Sequence, residues 1–436
     1  MGFLQPDGRF GLLYGIETEL NMKILRADEL NWSKIPEAER RAFVRVDFNV
    51  PMKGDEILED FRICQAVPTL QYLLDQKCIV IVASHLGRPK GGTAEDKKKF
   101  SMLPVAERLA QIMNREVLFS EEHYGDGLKR LVLDGRGGKT LIVLENLRFD
   151  PREEQNDRIF AEELMANADL YFNDAFGASH RAHASIDAIT QFAKVKAAGF
   201  LLSKEWTVLN QVLHHPKEPQ MAVLGGAKIS DKIEVIKNLI QRCDALFVGG
   251  RMGLTFLASQ GVDLGASSIE QESLPIARRL MVDAKNQGVK IHLPMDGVGA
   301  DLIDATEGKI YALGEGLKCP PTKAIFDIGP ETLKAWKKEL QKAQSIVWNG
   351  PMGVFENPTF AAGTLGLVDF LVEVKDTIPA VCGGGETVAA VMQRGAFEAI
   401  HHVSTGGGAM LEFLEGKALP GFEALKLRDR EIAAMA

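Results

Sequence analysis

The segment Met221–Leu257, reading MAVLGGAKISDKIEVIKNLIQRCDALFVGGRMGLTFL, constrains the fold more tightly than any other stretch of the chain. An apolar run, Met221–Leu224, stops at Gly225-Gly226. A helical pattern follows, with Ile233, Ile236, Leu239 and Ile240 on one face. A second apolar run, Ala245–Val248, stops at Gly249-Gly250. Strand, helix and strand in that order form the βαβ unit of a parallel sheet. The paired glycines let backbone approach a bulky anion, and the helix start offers unpaired N–H groups and the positive dipole end. Lys228 and Lys232 flank that start at i, i+4, which predicts that they lie on one side of it. The arrangement suits a phosphate, although a plain βα turn with two solvated lysines carries the same residues.

A chain of 436 residues predicts two or three domains with ample material for a core. The formal net charge of −8 argues against general nucleic-acid affinity but leaves room for a local basic cleft. The five cysteines, Cys64, Cys78, Cys243, Cys319 and Cys382, are odd in number and lack CxxC spacing. That predicts buried thiols in a reducing compartment, not a disulfide frame or a zinc site. His180 and His183 have no neighbouring ligand set, and the doublets His214-His215 and His401-His402 read as surface or packing residues. No apolar run reaches the roughly 18 residues of a membrane helix, and the N-terminus does not read as a secretory signal, so a cytoplasmic protein is expected.

Residues 1 to about 40 are weakly patterned, an extension that packs on the surface or stays mobile, with Met22 as an alternative start. Ala42–Val50 is the first clear strand. Its alternation sends Arg45, Asp47 and Asn49 one way, and Pro51 ends it. A helix is predicted over Phe61–Gln76, with Arg62 in its opening turn. Cys78–Ala83 is a near-continuous apolar strand, as in a sheet covered on both faces, and runs into Ser84-His85-Leu86-Gly87-Arg88-Pro89. The charged tract Gly91–Lys99 reads as a solvated loop. Strand Thr140–Leu144 leads to Arg148, and strand Leu170–Phe172 leads to His180-Arg181. Arg45 or Arg62, Arg88, Arg148 and Arg181 thus follow successive strands, whose ends share one edge in a parallel sheet. Their convergence would suit a small phosphorylated acid, because the guanidinium fork binds phosphate or carboxylate bidentately. Separate structural salt bridges are the other reading of each one.

An apolar helix is predicted over Ala197–His214, and Pro216 to Pro219 punctuates a domain boundary. In the second half the strand ends are glycine-rich. Ser345–Trp348 leads to Asn349-Gly350 and on to Glu356. Ile378–Val381 leads to Gly383-Gly384-Gly385-Glu386-Thr387 and a helix Val388–Arg394. Val403–Thr405 leads to Gly406-Gly407-Gly408. A strand, three glycines and a helix start form an anion cradle, and several together point to a nucleotide. The P-loop pattern and the HRD and DFG signatures of protein kinases are absent. Glu423–Ala436 is helix-compatible.

Together these blocks resemble the phosphoglycerate kinase family: RVDFNVP at Arg45–Pro51, SHLGRP at Ser84–Pro89, LENLRF at Leu144–Phe149, NDAFGASHRAH at Asn173–His183, GGAKISDK at Gly225–Lys232, WNGPMGVFE at Trp348–Glu356 and STGGGA at Ser404–Ala409. The resemblance covers the chain from about residue 40. It implies an α/β protein of two Rossmann-like parallel-sheet domains joined by a hinge helix. Residues 1–40 would be the extension and lead-in, 41–197 the acid-substrate domain, 198–219 the hinge helix and linker, and 220–420 the nucleotide domain. A return to the first domain is one course for residues 421–436.

The implied reaction is glycolytic phosphoryl exchange between 1,3-bisphosphoglycerate and ADP, giving 3-phosphoglycerate and ATP. It would proceed by direct in-line transfer to a carboxylate, with domain closure, Mg²⁺ and a monomeric enzyme. Carried over residue by residue, the acid would meet Asp47, Phe48, Asn49, Arg62, His85, Leu86, Gly87, Arg88, Arg148 and Arg181. The nucleotide would meet Lys228, Lys232, Asn349, Glu356, Gly383, Gly384, Gly385, Glu386 and Thr387. Glu356 would hold the ribose, Glu386 the metal, and Arg62, Lys228 and Lys232 the transferring group. Besides the extension, the chain departs from the family at Arg251, where relatives often carry glycine, and at Glu386, where they usually carry Asp. Two rivals remain open to the sequence: a nucleotide-binding relative that has lost catalysis, and a kinase for another small carboxylate.

Overall fold

The computed structural model describes residues 22–90 and 93–428. Contacts divide the chain into two units. The first holds residues up to Ser203 together with Leu419 onward, and the second holds Lys204–Ala418.

In the first unit the strands are β1 Arg41–Val46, β2 Ile79–Ala83, β3 Leu118–Ser120, β4 Leu141–Leu144, β5 Leu170–Asp174 and β6 Val195–Ala198. They form one six-stranded sheet in the order β3-β4-β2-β1-β5-β6, parallel throughout. Val80, Ile81, Val82, Leu141, Ile142 and Val143 are fully buried, as β-branched and aliphatic residues are in a sheet covered on both faces. The chain leaves β1 toward β2 and returns to β5 on its other side, so β1 and β5 flank the switch in strand order where open α/β sheets hold ligands.

The second unit repeats the plan. Its strands are β7 Gln220–Leu224, β8 Ala245–Val248, β9 Lys290–His292, β10 Asp296–Ala300, β11 Lys309–Ala312, β12 Ala324–Ile328, β13 Ser345–Asn349, β14 Ala380–Gly383 and β15 His402–Val403. Six of them form the parallel sheet β9-β8-β7-β13-β14-β15, and β10, β11 and β12 form a separate antiparallel sheet. Here the switch lies between β7 and β13.

Several segments differ from the sequence reading. Leu25, Ala27, Leu30 and Trp32 are buried in the first unit's core, so this part of the lead-in is structural. Trp32 Nε1 donates to Ala27 O at 3.2 Å and to Tyr72 Oη at 3.1 Å. Residues 1–21 of the expected extension lie outside the described residues. The lysine tract expected to be a loop carries a helix, Ala94–Phe100. Thr93 caps it by accepting from Asp96 N, and Lys97, Lys98 and Lys99 sit at its negative end. The expected helix from Ala197 begins at Phe200, because Val195–Ala198 pairs with β5. The helix Phe200–His214 spans the division between the units. Beyond Pro420–Glu423, Leu427–Arg428 forms a strand, antiparallel to Met22–Lys23. Cys78, Cys243, Cys319 and Cys382 are buried and Cys64 half-buried, all free thiols. No helix among the described residues is long and apolar enough to cross a membrane.

Three buried ionisable groups support the sheets. Arg45 on β1 is fully buried, and Asp47, two residues on, is buried as well. Its Nε donates to Ser185 Oγ at 2.7 Å, Nη1 to Val46 O, and Nη2 lies 3.2 Å from His85 Nδ1. Glu153, also fully buried, lies 3.9 Å from Arg45 and accepts from Ser185 Oγ at 2.6 Å and Ser185 N at 3.0 Å. In the second unit, Asp327 on β12 accepts from Gly363 N at 2.7 Å and Ile328 N at 2.9 Å, yet burial pushes its carboxyl up to about 8.

Removing one partner of a buried charge pair leaves the other uncompensated, so Arg45→Met should cost about 3 kcal/mol in denaturant unfolding. Adding Glu153→Gln should recover part of that loss, and simple additivity of the two losses would show that they do not interact. Asp327 has a folded pKa above the unfolded value of about 3.9, so its stabilisation is complete below that value and is lost as pH rises toward 8. Asp327→Asn should therefore remove part of the fall in stability between about pH 4 and pH 8. At its steepest the difference approaches about 1.4 kcal/mol per pH unit, and identical pH slopes in calorimetry would show that another group is responsible.

Candidate functional site

Each unit gathers polar groups at the C-terminal edge of its parallel sheet. In the first, β1 runs out into Asp47, Phe48 and Asn49. Phe48 N donates to Ser84 Oγ at 2.8 Å and Asn49 Oδ1 accepts from Gly87 N at 2.8 Å, so the ends of β1 and β2 are tied together. Phe48 and Leu86 are buried, and their side chains belong to the core. Arg62, in the first turn of the helix Phe61–Asp75, places Nη1 3.1 Å from both Asp47 Oδ2 and Asn49 O. Burial opposes the Asp47 charge, but Arg62 and the neighbouring cationic groups hold its carboxyl below the usual range. Burial drives His85 well below its ordinary value, so it stands neutral beside Asp47.

Arg148 Nη1 donates to Gly87 O at 2.7 Å, while its Nε lies 3.1 Å from Glu154 without hydrogen-bond geometry. Arg181 is exposed, its Nε donating to His180 Nε2 at 3.1 Å. Burial first, then Arg45, Arg148 and Arg181, push His183 down to about 3, so these guanidinium groups share one neighbourhood. Arg88 is exposed and follows Gly87, the residue whose carbonyl Arg148 holds. The structure therefore gathers Arg62, Arg148 and Arg181 around the Asp47 and His85 edge. Arg45, grouped with them on sequence, is an interior support.

The LENLRF segment also does something the sequence reading missed. Glu145 accepts from Ser101 Oγ, Met102 N and Asn146 N, and Asn146 Nδ2 donates to Leu86 O at 2.7 Å and Phe100 O at 2.9 Å. These bonds hold the His85–Gly87 turn on which the arginines act.

In the second unit, parallel register sets Leu224 level with Asn349 and Asn349 level with Gly383. Three strand ends thus meet. Gly350 has φ +94°, and a Cβ there would stand 2.3 Å from Gly225 O. Gly384 has φ +98°, and a Cβ there would stand 2.9 Å from Asn349 Nδ2. Both positions need glycine for conformation and for contact. Asn349 Nδ2 donates to Gly383 O at 2.8 Å, and Thr387 Oγ1 accepts from Gly350 N at 2.7 Å. The helix Gly385–Gln393 starts at the glycines, earlier than predicted. Its Gly384 cap contributes no side chain, and Gly385 and Glu386 are exposed in its first turn.

The first lysine pair departs from expectation. A 3-10 turn, Ser230–Lys232, precedes the helix Ile233–Ile240, so Lys228 lies in the exposed loop and Lys232 caps the helix. They do not share a helical face. Lys232 Nζ turns back to Gly225 O at 2.7 Å and Asn349 O at 3.4 Å, and burial pulls it down to about 8 against the attraction of Glu386. The amides expected to stay open there are taken by Glu270, which accepts from Ile229 N at 2.8 Å and Ser230 N at 3.3 Å. Likewise Glu205 accepts from Thr405 N and Thr405 Oγ1, anchoring the Gly406–Gly408 turn, and lies 2.8 Å from His402 Nε2.

Beside these strand ends opens a cavity of about 290 Å³ within the second unit. Leu254, Leu313, Ile325, Phe326 and Val354 supply apolar walls, and Arg251, Ser268, Glu356 and Glu386 supply polar groups. Of the residues the sequence assigns to the nucleotide, Glu356 and Glu386 line it directly. The walls from β12 and the segment before it carried no motif and were not anticipated. Among the described residues no group of three or more His, Cys, Asp or Glu could hold a metal by itself.

The family model for phosphoglycerate kinase matches residues 33–417. A phosphoglycerate kinase of Acidobacterium capsulatum is 46% identical over 396 residues, covering 89% of this chain and 96% of its own. A chloroplastic phosphoglycerate kinase of Volvox carteri is 45% identical over 390 residues, covering 88% and 83%. Among solved structures, phosphoglycerate kinase from Coxiella burnetii aligns with a TM-score of 0.79 at 36% identity, over 92% of this chain and 99% of that one. A family model matching well over half the chain, and relatives spanning most of its length, place this chain in the phosphoglycerate kinase family.

Proposed function

We propose that the two half-sites divide one phosphoryl transfer, the first unit holding the phosphorylated acid and the second the nucleotide. The family fixes the overall chemistry: the chain is a phosphotransferase, a phosphoglycerate kinase of glycolysis. The rivals, a relative without catalysis and a kinase for another carboxylate, find no support in these relatives. The observation that carries the division is the gathering of Arg62, Arg148 and Arg181 at one sheet edge. Guanidinium groups at that density suit 3-phosphoglycerate, which bears both a phosphate and a carboxylate.

The acceptor carboxylate has a pKa near about 3.5 and is ionised at neutral pH, so transfer needs no general base. What it needs is positive charge, to offset repulsion between two anions and to stabilise the group in flight. Arg62 supplies that charge from the first unit and Lys228 from the second. Lys232, held at the Gly225 and Asn349 carbonyls, serves the departing phosphates. His85, buried and neutral, orients the acid. Direct transfer also requires the two substrates to meet with water excluded.

Glu386 is exposed at the cavity and is a hard oxygen donor, so it fits Mg²⁺, which one carboxylate shared with nucleotide phosphates commonly binds. When bound, the ion neutralises phosphate charge. Glu356 lines the same cavity and is assigned to the ribose hydroxyls. Cytoplasmic location and a monomeric state complete this reading.

A coupled assay for ATP formation from 1,3-bisphosphoglycerate and ADP tests the whole assignment. Arg62→Ala should lower kcat roughly 100-fold while leaving the nucleotide Kd in place. A raised KM with normal kcat would remove Arg62 from the transferring group. Glu386→Asp should keep metal-dependent turnover, and its complete loss would contradict the ligand role.

A further inference from the structure

The nucleotide cavity carries one cation that the transfer chemistry leaves unused. Arg251 stands in the first turn of the helix Gly250–Ser259, where the dipole's positive end disfavours a positive side chain. It is nonetheless held in place: Nε donates to Ala227 O at 2.8 Å and Nη1 to Ser268 Oγ at 3.2 Å. Ala227 and Ser268 line the cavity with it. A guanidinium has five N–H donors and no acceptor, so these two bonds leave the second Nη1 hydrogen and both on Nη2.

The neighbouring walls, Leu254, Pro294, Leu313, Phe326 and Val354, suit a flat base but cannot tell one purine from another. A donor-only fork can, and in one direction. Guanine and hypoxanthine present two adjacent acceptors, N7 and O6. Adenine presents N7 beside an amino donor, which would set N–H against N–H.

We propose that Arg251 reads the base edge and shifts this cavity's preference toward 6-oxopurine nucleoside diphosphates. The proposal rests on the nucleotide assignment of the cavity. It makes Arg251 a specificity residue of that cavity.

Steady-state kinetics and calorimetric binding with ADP, GDP and IDP, on the native protein and on Arg251→Gly and Arg251→Gln, provide the test. In Arg251→Gly the kcat/KM ratios of GDP and IDP to ADP should both fall about tenfold, the discrimination of one bidentate pair. Arg251→Gln should fall further, because an amide offers one donor and one acceptor and pairs with adenine N6 and N7. GDP and IDP should move together, since both carry O6. An equal loss for all three nucleotides would mean that the guanidinium serves the phosphates, and unchanged ratios would mean that it reads nothing; either overturns the proposal. Failure of the cavity assignment looks different, because Leu313→Trp, which fills the cavity, would then leave the binding of all three nucleotides unchanged.

Discussion

Parallel register is the constraint on which both half-sites depend. When every strand of a sheet points the same way, every strand ends at the same edge, and successive loops deliver their residues to one line. The pairing of Leu224 with Asn349, and of Asn349 with Gly383, brings the glycine turns of β7, β13 and β14 level. In the first unit the same geometry sets Arg45 of β1 level with Ala83 of β2 and Asn173 of β5. A one-residue slip in any of these strands would move its terminal group to the other face. The near-complete burial of both sheets is what prevents that slip, so apolar packing fixes the polar geometry.

The two edges differ in what they present. The first collects side-chain cations, which repel one another and need interior anions to stay together. Glu153 lies beneath this cluster, 3.9 Å from Arg45 and 3.8 Å from His183. Asp47 takes Arg62, and Glu154 approaches Arg148. The second edge relies on bare backbone, since Gly350 and Gly384 must lack side chains for the strand ends to meet. Carboxylates again stabilise that backbone: Glu270 takes the amides of Ile229 and Ser230, and Glu205 the amide and hydroxyl of Thr405. The first turn of Gly385–Gln393 has no side-chain cap, as the proposed nucleotide assignment of this edge requires.

That contrast explains what could be read from the sequence. The βαβ order, the two parallel sheets and the arginines after successive strands follow from local periodicity and from residues adjacent in sequence. The partners of Arg45 were not legible, because both faces of β1 are covered and a charge on that strand must find interior partners, here Ser185, more than a hundred residues away. Glu205 and Glu270 escaped notice for the same reason, as each reaches a turn distant in sequence. Lys228 and Lys232 do not share a helical face, since the 3-10 turn Ser230–Lys232 precedes the helix, which residue spacing does not reveal. The lysine tract was taken for a loop because its Thr93 cap was overlooked.

Glu386, where the resemblance implies an Asp, meets the same physical limits. A longer side chain is tolerated only where nothing must move to admit it. At Gly383 an added methyl group would force the Met410 side chain aside, because a Cβ would lie 2.1 Å from its Sδ, and Gly384 is held against Asn349. Gly385 is different: a Cβ there meets nothing within 4 Å, and Glu386 beside it is exposed. The crowded part of the turn therefore ends one residue before the carboxylate. An added methylene at Glu386 extends into the cavity and not into the fold. It costs the freezing of one more torsion and displaces no packing, so the change moves the carboxylate's reach without disturbing the strand ends that position it.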